Sequence, residues 1–342
     1  MINGYLDYLD RVSKTIDLKD VCIRICKDFK LGDFTKYEIV LTGREDLNII
    51  LSTSDKQYFI KIFNKRRTAK ECKVLADVNL QIIKNGVNCP ILYSYQKNKF
   101  LYQYQQGGHK ILLIVQQFID GETFYAKNST PNSDEIKTIV NQVLKIQKTK
   151  DSKKEYIYDP WYLGNIEIEF NNRKHILLPV EVNILHKIIE TFNKIDFDKF
   201  PKSFVHGDLT KENVIKDKNG KIWFTDFSVS NVHPRILEIV IINTHLIIDY
   251  SNNKKTNSNR DLAVHEYEKN VNSTSIEKNS LVDLELVAYG IEYMICVYEL
   301  RKEKNNSEEN LFYIKSSIKG LLKSKILTDE EKSFLLSPDR LI

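Results

Sequence analysis

Long apolar runs are missing from this 342-residue chain. No stretch approaches the roughly eighteen uncharged apolar residues needed to span a bilayer. The nearest candidate, ILEIVIINTHLII, is interrupted by polar groups. The opening stretch MINGYLDYLDRVSKTIDLKD carries acidic residues and lacks an apolar core of signal-peptide length. The expectation is therefore a cytoplasmic protein with no membrane association. Cysteine is scarce as well: five residues, at 22, 26, 72, 89 and 296, are odd in number and lack the paired clusters of a zinc site or a disulfide framework. Cys22 and Cys26, one helical turn apart in LKDVCIRICKDF, read as small buried apolar residues. An excess of charge of one sign is also absent, since 51 basic against 46 acidic residues leave only +5, not gathered into a tail. This gives no sign of a nucleic-acid partner. No internal repeat points to a solenoid.

What is present is an ordinary globular composition, 42% apolar and 11% aromatic, in a length suited to one large domain or two lobes. After helical spacing over 15–30, the segments KYEIVL, LNIILS and QYFIKIF have the β-branched and aromatic content of strands. TAKECKVLADVNLQIIK then repeats apolar residues at helical intervals and stops at Asn85-Gly86. FLYQYQ and ILLIVQQFI follow as two further strands, the second ending at Asp120-Gly121. Residues 1–116 thus read as a five-stranded antiparallel sheet with one internal helix. From about 122 the helical period dominates, as in SDEIKTIVNQVLKIQK and PVEVNILHKIIETFNKI, and again over 281–324. Within this part, VIK and KIWFTDF form a short hairpin through Asn219-Gly220. SNNKKTNSNR, 251–260, is polar enough to be a loop.

The most informative segment is Val205-His206-Gly207-Asp208-Leu209-Thr210-Lys211-Glu212-Asn213, followed by Asp226 in Phe224-Thr225-Asp226-Phe227. The hairpin between them returns the chain so that Asp208, Asn213 and Asp226 are brought near one another. An amide oxygen and a carboxylate are hard donors of the kind Mg²⁺ takes, with phosphates and water completing its shell. A second set precedes it. Strict alternation in QYFIKIF puts Lys61 on one face with Phe59 and Phe63, and Tyr58, Ile60 and Ile62 on the other. A lysine among apolar neighbours needs a partner, and Glu71 on the following helix is the expected one.

HGDLTKEN together with FTDF resembles the catalytic and metal motifs of the aminoglycoside phosphotransferase and choline kinase group, relatives of the protein kinases. The resemblance runs in motif order from about Val40 to Leu246. It implies an α+β, two-lobed protein-kinase-like fold: an N-terminal sheet lobe (1–116), a hinge (117–121) and a larger, mainly helical C-terminal lobe (122–342), with ATP between the lobes. By that resemblance Asp208 orients or accepts the proton of an acceptor hydroxyl and His206 braces the loop. Asn213 and Asp226 hold Mg²⁺, and Lys61, fixed by Glu71, reaches the α- and β-phosphates. Gln117 and Ile119 would meet the adenine edge with backbone groups. The sequence leaves open whether ATP or GTP is used. The segment from Thr42 to Asn48, with one glycine, is a sparse phosphate-covering loop.

Two departures qualify the resemblance. Ser228 stands where a glycine or an acid commonly follows Asp-Phe. The protein-kinase lysine two residues after the catalytic Asp is replaced by Thr210, and no Ala-Pro-Glu element follows Asp226, which disfavours a protein substrate. The implied acceptor is a small hydroxylated molecule, either an antibiotic or a metabolite such as choline, homoserine or a sugar. The alternative is a kinase-fold nucleotide-binding scaffold with little turnover. On the acceptor side, Glu285, Glu292 and Glu299 recur every seven residues along one helical face. That stripe reads either as a receptor for an amine or as a solvated surface.

Overall fold

The computed structural model describes residues 9–41, 46–150 and 158–337. The chain folds as two compact units. One holds the described residues up to Glu122 together with Ile215–Ser228; the other holds those from Thr123 to Val214 and from Val229 onward.

The first unit is a twisted antiparallel sheet with a helix packed into its apolar face. Its strands are β1 (Phe34–Val40), β2 (Leu47–Thr53), β3 (Gln57–Ile62), β4 (Leu92–Tyr93), β5 (Tyr102–Gln106) and β6 (His109–Gln117). They run in the order β1-β2-β3-β6-β4, with β5 also paired to β6. The five expected strands are all present. The sixth, β4, is only two residues long, too short to leave a periodic signal. Helix α1 (Leu18–Phe29) is capped by the Asp17 carboxylate, which accepts from the Lys19 and Asp20 N–H groups. It buries Leu18, Val21, Cys22, Ile25, Cys26 and Phe29, which recur at helical spacing. That face joins Leu47, Ile49, Leu51, Tyr58, Ile60 and Ile62 in one core, so β3 alternates as its sequence requires and turns Lys61 to the opposite face. Helix α2 (Ala69–Lys84) begins at a capping box in which Thr68 and Glu71 satisfy each other's backbone N–H groups.

Residues 215–228, assigned to the C-terminal lobe on sequence, pack instead with the first unit. The Phe224 N–H donates to the Asn88 carbonyl (2.8 Å), and the Asn88 amide donates to the Ile222 carbonyl (3.1 Å). Long-range hydrogen bonds, which a one-dimensional reading cannot see, move this hairpin. Its strands β9 (Val214–Asp217) and β10 (Ile222–Phe224) extend a small sheet ordered β10-β9-β7, where β7 is Gly121–Thr123.

The second unit is mainly helical: α3 (Ser133–Gln147), α4 (Ile166–Arg173), α5 (Pro179–Asn193), α6 (Leu237–Ile241), α7 (Asn253–Glu268), α8 (Ser275–Lys302), α9 (Glu308–Leu321) and α10 (Asp329–Leu336). A two-stranded antiparallel ribbon, β8 (Lys202–Val205) with β11 (Asn231–Pro234), completes it. Helix α8 is apolar around most of its circumference between Leu281 and Val297, as a central helix packed on several sides must be. At Glu181, on α5, a buried carboxylate takes a bidentate Arg301 guanidinium (2.5 and 3.0 Å) and the Tyr293 hydroxyl (2.6 Å), tying α5 to α8.

The polar stretch 251–260 is not a loop: most of it forms the first half of α7, started by the Asn252 side chain. The face this helix buries consists of Thr256, Asn259, Ala263 and Tyr267. These are correctly spaced for a helix, but the two that fall in the polar stretch, Thr256 and Asn259, are not hydrophobic, so no apolar period reveals its helix. The run Ile236–Ile248 is buried, continuing α6 into a π-helical turn, Ile242–Leu246. Among the described residues no helix is long and apolar enough to cross a membrane.

Helices α8 and α9 approach closely at Gly320, where an added Cβ would lie 2.3 Å from atoms of the Tyr289 ring. Gly320→Ala is expected to lower the unfolding free energy by about 1–3 kcal/mol, the usual cost of overpacking. Urea denaturation checks this, and an unchanged midpoint would show that the ring yields without cost.

Candidate active site

The HGD segment leaves strand β8 at the buried Phe204 and Val205 and turns sharply. Gly207 adopts φ +83°, a left-handed conformation open to glycine and strained for other residues. Such a turn leaves backbone N–H groups without strand partners. The side chain of Glu238, on α6 and fully buried, accepts from the His206 N–H (2.6 Å) and the Gly207 N–H (3.2 Å). Ser230 donates its hydroxyl to the His206 carbonyl (3.0 Å). The His206 ring accepts the Asp208 N–H at Nδ1 (3.2 Å), so the imidazole is a brace within the loop. Asn213 donates its side-chain nitrogen to both the Asp208 carbonyl (3.0 Å) and Oδ2 (2.6 Å). That pair of bonds fixes the Asp208 carboxylate and assigns the other end of the Asn213 amide, its oxygen, as the group that could serve a cation.

Burial pushes the Glu238 carboxyl up to about 7, against the opposing pull of the two N–H groups it accepts. Next to the loop, Glu212 is also raised by burial, and the Tyr313 hydroxyl donates to it.

In the first unit, Lys61 lies between two carboxylates. Its Nζ is 2.6 Å from Asp226 Oδ1 and 3.5 Å from Asp46 Oδ2. Burial alone would push the ammonium down, but Asp226 and Asp46 outweigh it and hold Lys61 above the ordinary lysine value. Asp226 follows β10 and has φ +61°, a conformation Asp tolerates better than most residues, and its carboxylate also accepts the Ser228 N–H (3.3 Å). Ser228 thus serves this turn through its backbone.

Glu71 is not the partner of Lys61. Its carboxylate accepts the Thr68 N–H (2.6 Å) and hydroxyl (2.9 Å), which hold it below the usual glutamate value, and it forms no ion pair with Lys61. Beside Asp226, the second carboxylate at Lys61 is Asp46, just before β2, with a side chain only 1% exposed. Asp46 also accepts the Asn64 N–H (2.9 Å) and pairs with Arg67 (3.3 Å). The helix cap wins Glu71 because the Thr68 donors lie within one turn, whereas Asp46 is delivered by the β2–β3 register that sets Asn48 opposite Lys61. A lone aspartate before a strand carries no sequence signal, so Asp46 was missed.

Gln117 spends its backbone N–H on the Ile91 carbonyl (2.9 Å), so that donor is not available to a base. Ile119 is buried, and its backbone groups make no hydrogen bond among the described residues. Thr42–Glu45, within the expected phosphate loop, lie outside the described residues. The glutamates of the acidic stripe on α8 each have protein partners. Glu285 is taken by Arg260 (2.9 and 3.0 Å) and Asn243 (2.7 Å), Glu292 pairs with His245 (2.8 Å), and Glu299 accepts from Asn305 (3.0 Å). The stripe is not a solvated face, since Glu292 is buried.

The profile of the phosphotransferase enzyme family matches residues 36–250. No curated protein matches in sequence. Among solved structures, a spectinomycin phosphotransferase in complex with ADP and spectinomycin aligns with a TM-score of 0.62 at 15% identity, covering 90% of this chain and 98% of that one. The microcompartment-associated aminopropanol kinase gives 0.69 at 9% identity, with 93% and 100% covered. A choline/ethanolamine kinase family protein from Mesorhizobium loti gives 0.60 at 13% identity, with 96% and 100% covered. At such identities the likeness is one of fold, and the fold is the kinase-like α+β arrangement.

Two outcomes are expected here. Asp46→Asn strips a buried ammonium of one partner and should cost about 3 kcal/mol or more, against at most about 1 kcal/mol for Glu71→Gln, which touches only an exposed cap. Equal costs in denaturant titrations would return Glu71 to the site. Glu238 has a folded pKa (about 7) above its ordinary value of 4.5, so its contribution is full below about 4.5 and is lost as pH rises through 7. Melting temperatures from pH 5 to 8 should show this loss in the wild type and not in Glu238→Gln.

Proposed function

Because the chain belongs to the phosphotransferase enzyme family, we propose that it transfers the γ-phosphate of ATP to a hydroxyl of a small molecule, with Asp208 positioning that hydroxyl. The family and the kinase fold make it an enzyme with an alcohol acceptor rather than a scaffold. The observation that carries the assignment of roles is the Asn213–Asp208 clamp, which holds a carboxylate in one orientation on a loop braced by Glu238. In the transfer, the acceptor oxygen forms a bond to phosphorus as the bond to the β-phosphate oxygen breaks. ADP leaves with that electron pair, and the acceptor proton passes to Asp208.

Lys61, kept charged by Asp46 and Asp226, is the group for the nucleotide phosphates, and Ile119 offers backbone hydrogen-bonding groups to the base. Nucleotide use is supported by the ADP bound to the spectinomycin phosphotransferase of similar fold. Among the described residues no group of three or more His, Cys, Asp or Glu side chains could hold a metal unaided. Asn213, through its amide oxygen, and Asp226, through its carboxylate, are the hard donors that would hold Mg²⁺. Bound there, Mg²⁺ would neutralise phosphate charge. The five cysteines are all free and buried, which favours a reducing, cytoplasmic setting.

A coupled assay of ADP release with Mg²⁺, run against aminoglycosides, choline, homoserine and sugars, tests the proposal. Acceptor-stimulated turnover should fall at least about 100-fold in Asp208→Asn while ATP binding is retained. Undiminished turnover in that variant would remove Asp208 from the chemistry.

A further inference from the structure

The second unit contains a cavity of about 500 Å³, within the size range of small-molecule sites, that no motif identifies. Three lysines reach it, Lys211, Lys255 and Lys319, against one carboxylate, Asp249. Two of the lysines are already engaged: Lys255 pairs with Asp249 (3.1 Å), and Lys319 donates to the Tyr250 carbonyl (2.8 Å). Asp249 is held down to about 2, chiefly by the Ser251 hydroxyl it accepts, and so stays a fixed, satisfied anion.

Lys211 differs from the others. It is only 4% exposed, yet its ammonium has no hydrogen-bond or ion-pair partner among the described residues; its one close contact is the Tyr250 ring, 5.0 Å away. A buried ammonium with no carboxylate in direct contact is costly, and burial pushes this one down to about 8 against the weaker pull of Asp249 and Glu212, so it remains mostly charged near neutrality. Thr130 lines the same cavity with a buried hydroxyl that also lacks a partner. A cation without an ion-pair partner and a hydroxyl without a hydrogen bond, on two residues that line one cavity, together lack a single thing: an oxyanion.

We propose that this cavity anchors the acceptor through a carboxylate or phosphate group that Lys211 and Thr130 bind. The inference rests on the proposed phosphotransfer and deepens it by giving the acceptor class as an anionic alcohol. Lys211 lies three residues from Asp208 on the same loop, so their Cα atoms are at most about 11 Å apart. One small molecule can therefore place its anion at Lys211 and its hydroxyl at Asp208. The binding chemistry is opposite to that of a cationic amine receptor.

Binding read without nucleotide separates this inference from the kinase reading. The thermal shift of the full chain would be measured with glycerol 3-phosphate, 4-hydroxybutyrate and inorganic phosphate, and with glycerol and choline as neutral and cationic counterparts. Anions are expected to stabilise the wild type while glycerol and choline do not, and the phosphate and carboxylate arms tell which oxyanion is preferred. Lys211→Met, which removes the charge at similar volume, and Thr130→Val, which removes the hydroxyl, should each weaken the anion, the first by about tenfold or more. Stabilisation by choline alone, no response to any anion, or unchanged anion binding in Lys211→Met overturns the proposal. So does a Lys211→Met enzyme whose KM rises for ATP and not for the acceptor, which would make Lys211 a nucleotide ligand. Failure of turnover with intact, Lys211-dependent anion binding would count against the phosphotransfer reading only.

Discussion

Everything at the HGD loop depends on one buried carboxyl group accepting two backbone N–H groups. The left-handed Gly207 lets the chain turn out of β8, and that turn exposes donors that no strand can satisfy in an interior without water. Glu238 satisfies them from α6, and the cost of burying it appears as a carboxyl that holds its proton to about pH 7. With the backbone held this way, His206 and Asn213 add short-range bonds to a residue two or five positions away. The orientation of Asp208 is thus the last step of a chain of hydrogen bonds that begins in a helix some thirty residues downstream.

The same rule, that a buried charge must find a partner, organises the first unit. Lys61 sits on the sheet face opposite the α1 core and is neutralised by Asp226 from one direction and Asp46 from another. In a sheet the neighbours across the ladder are fixed by register, so the entry to β2 is a dependable place from which to reach Lys61. A helix glutamate that can cap its own first turn has a closer alternative, and Glu71 takes it. Lys211 is the case in which no carboxylate is in direct contact among the described residues, which is the ground for the proposed ligand there.

Family membership and the kinase-like fold bear on what the site can do. The implied acceptor side is a different matter, because its chemistry is set by which side chains are left over after the interior has paired its charges. On α8 each of the three stripe glutamates has at least one protein partner, although one oxygen of Glu292 has no hydrogen bond. At the cavity of the second unit an ammonium and a hydroxyl are left over.

The sequence alone determined what is local and contiguous. The HGDLTKEN and FTDF motifs place their residues within a few positions of one another, and the strand alternation of QYFIKIF is written every second residue. Tertiary structure decided whatever depends on residues distant in the chain. It chose Asp46 over Glu71 because strand register, not helix position, brings a carboxylate to Lys61. It moved 215–228 into the first unit through hydrogen bonds to Asn88, and made a helix of 253–268 whose first buried residues, Thr256 and Asn259, have helical spacing without hydrophobicity. It also gathered Thr130, Lys211 and Lys319 around one cavity, since three residues so far apart can share a surface only after the chain has folded, and no periodicity records that they will.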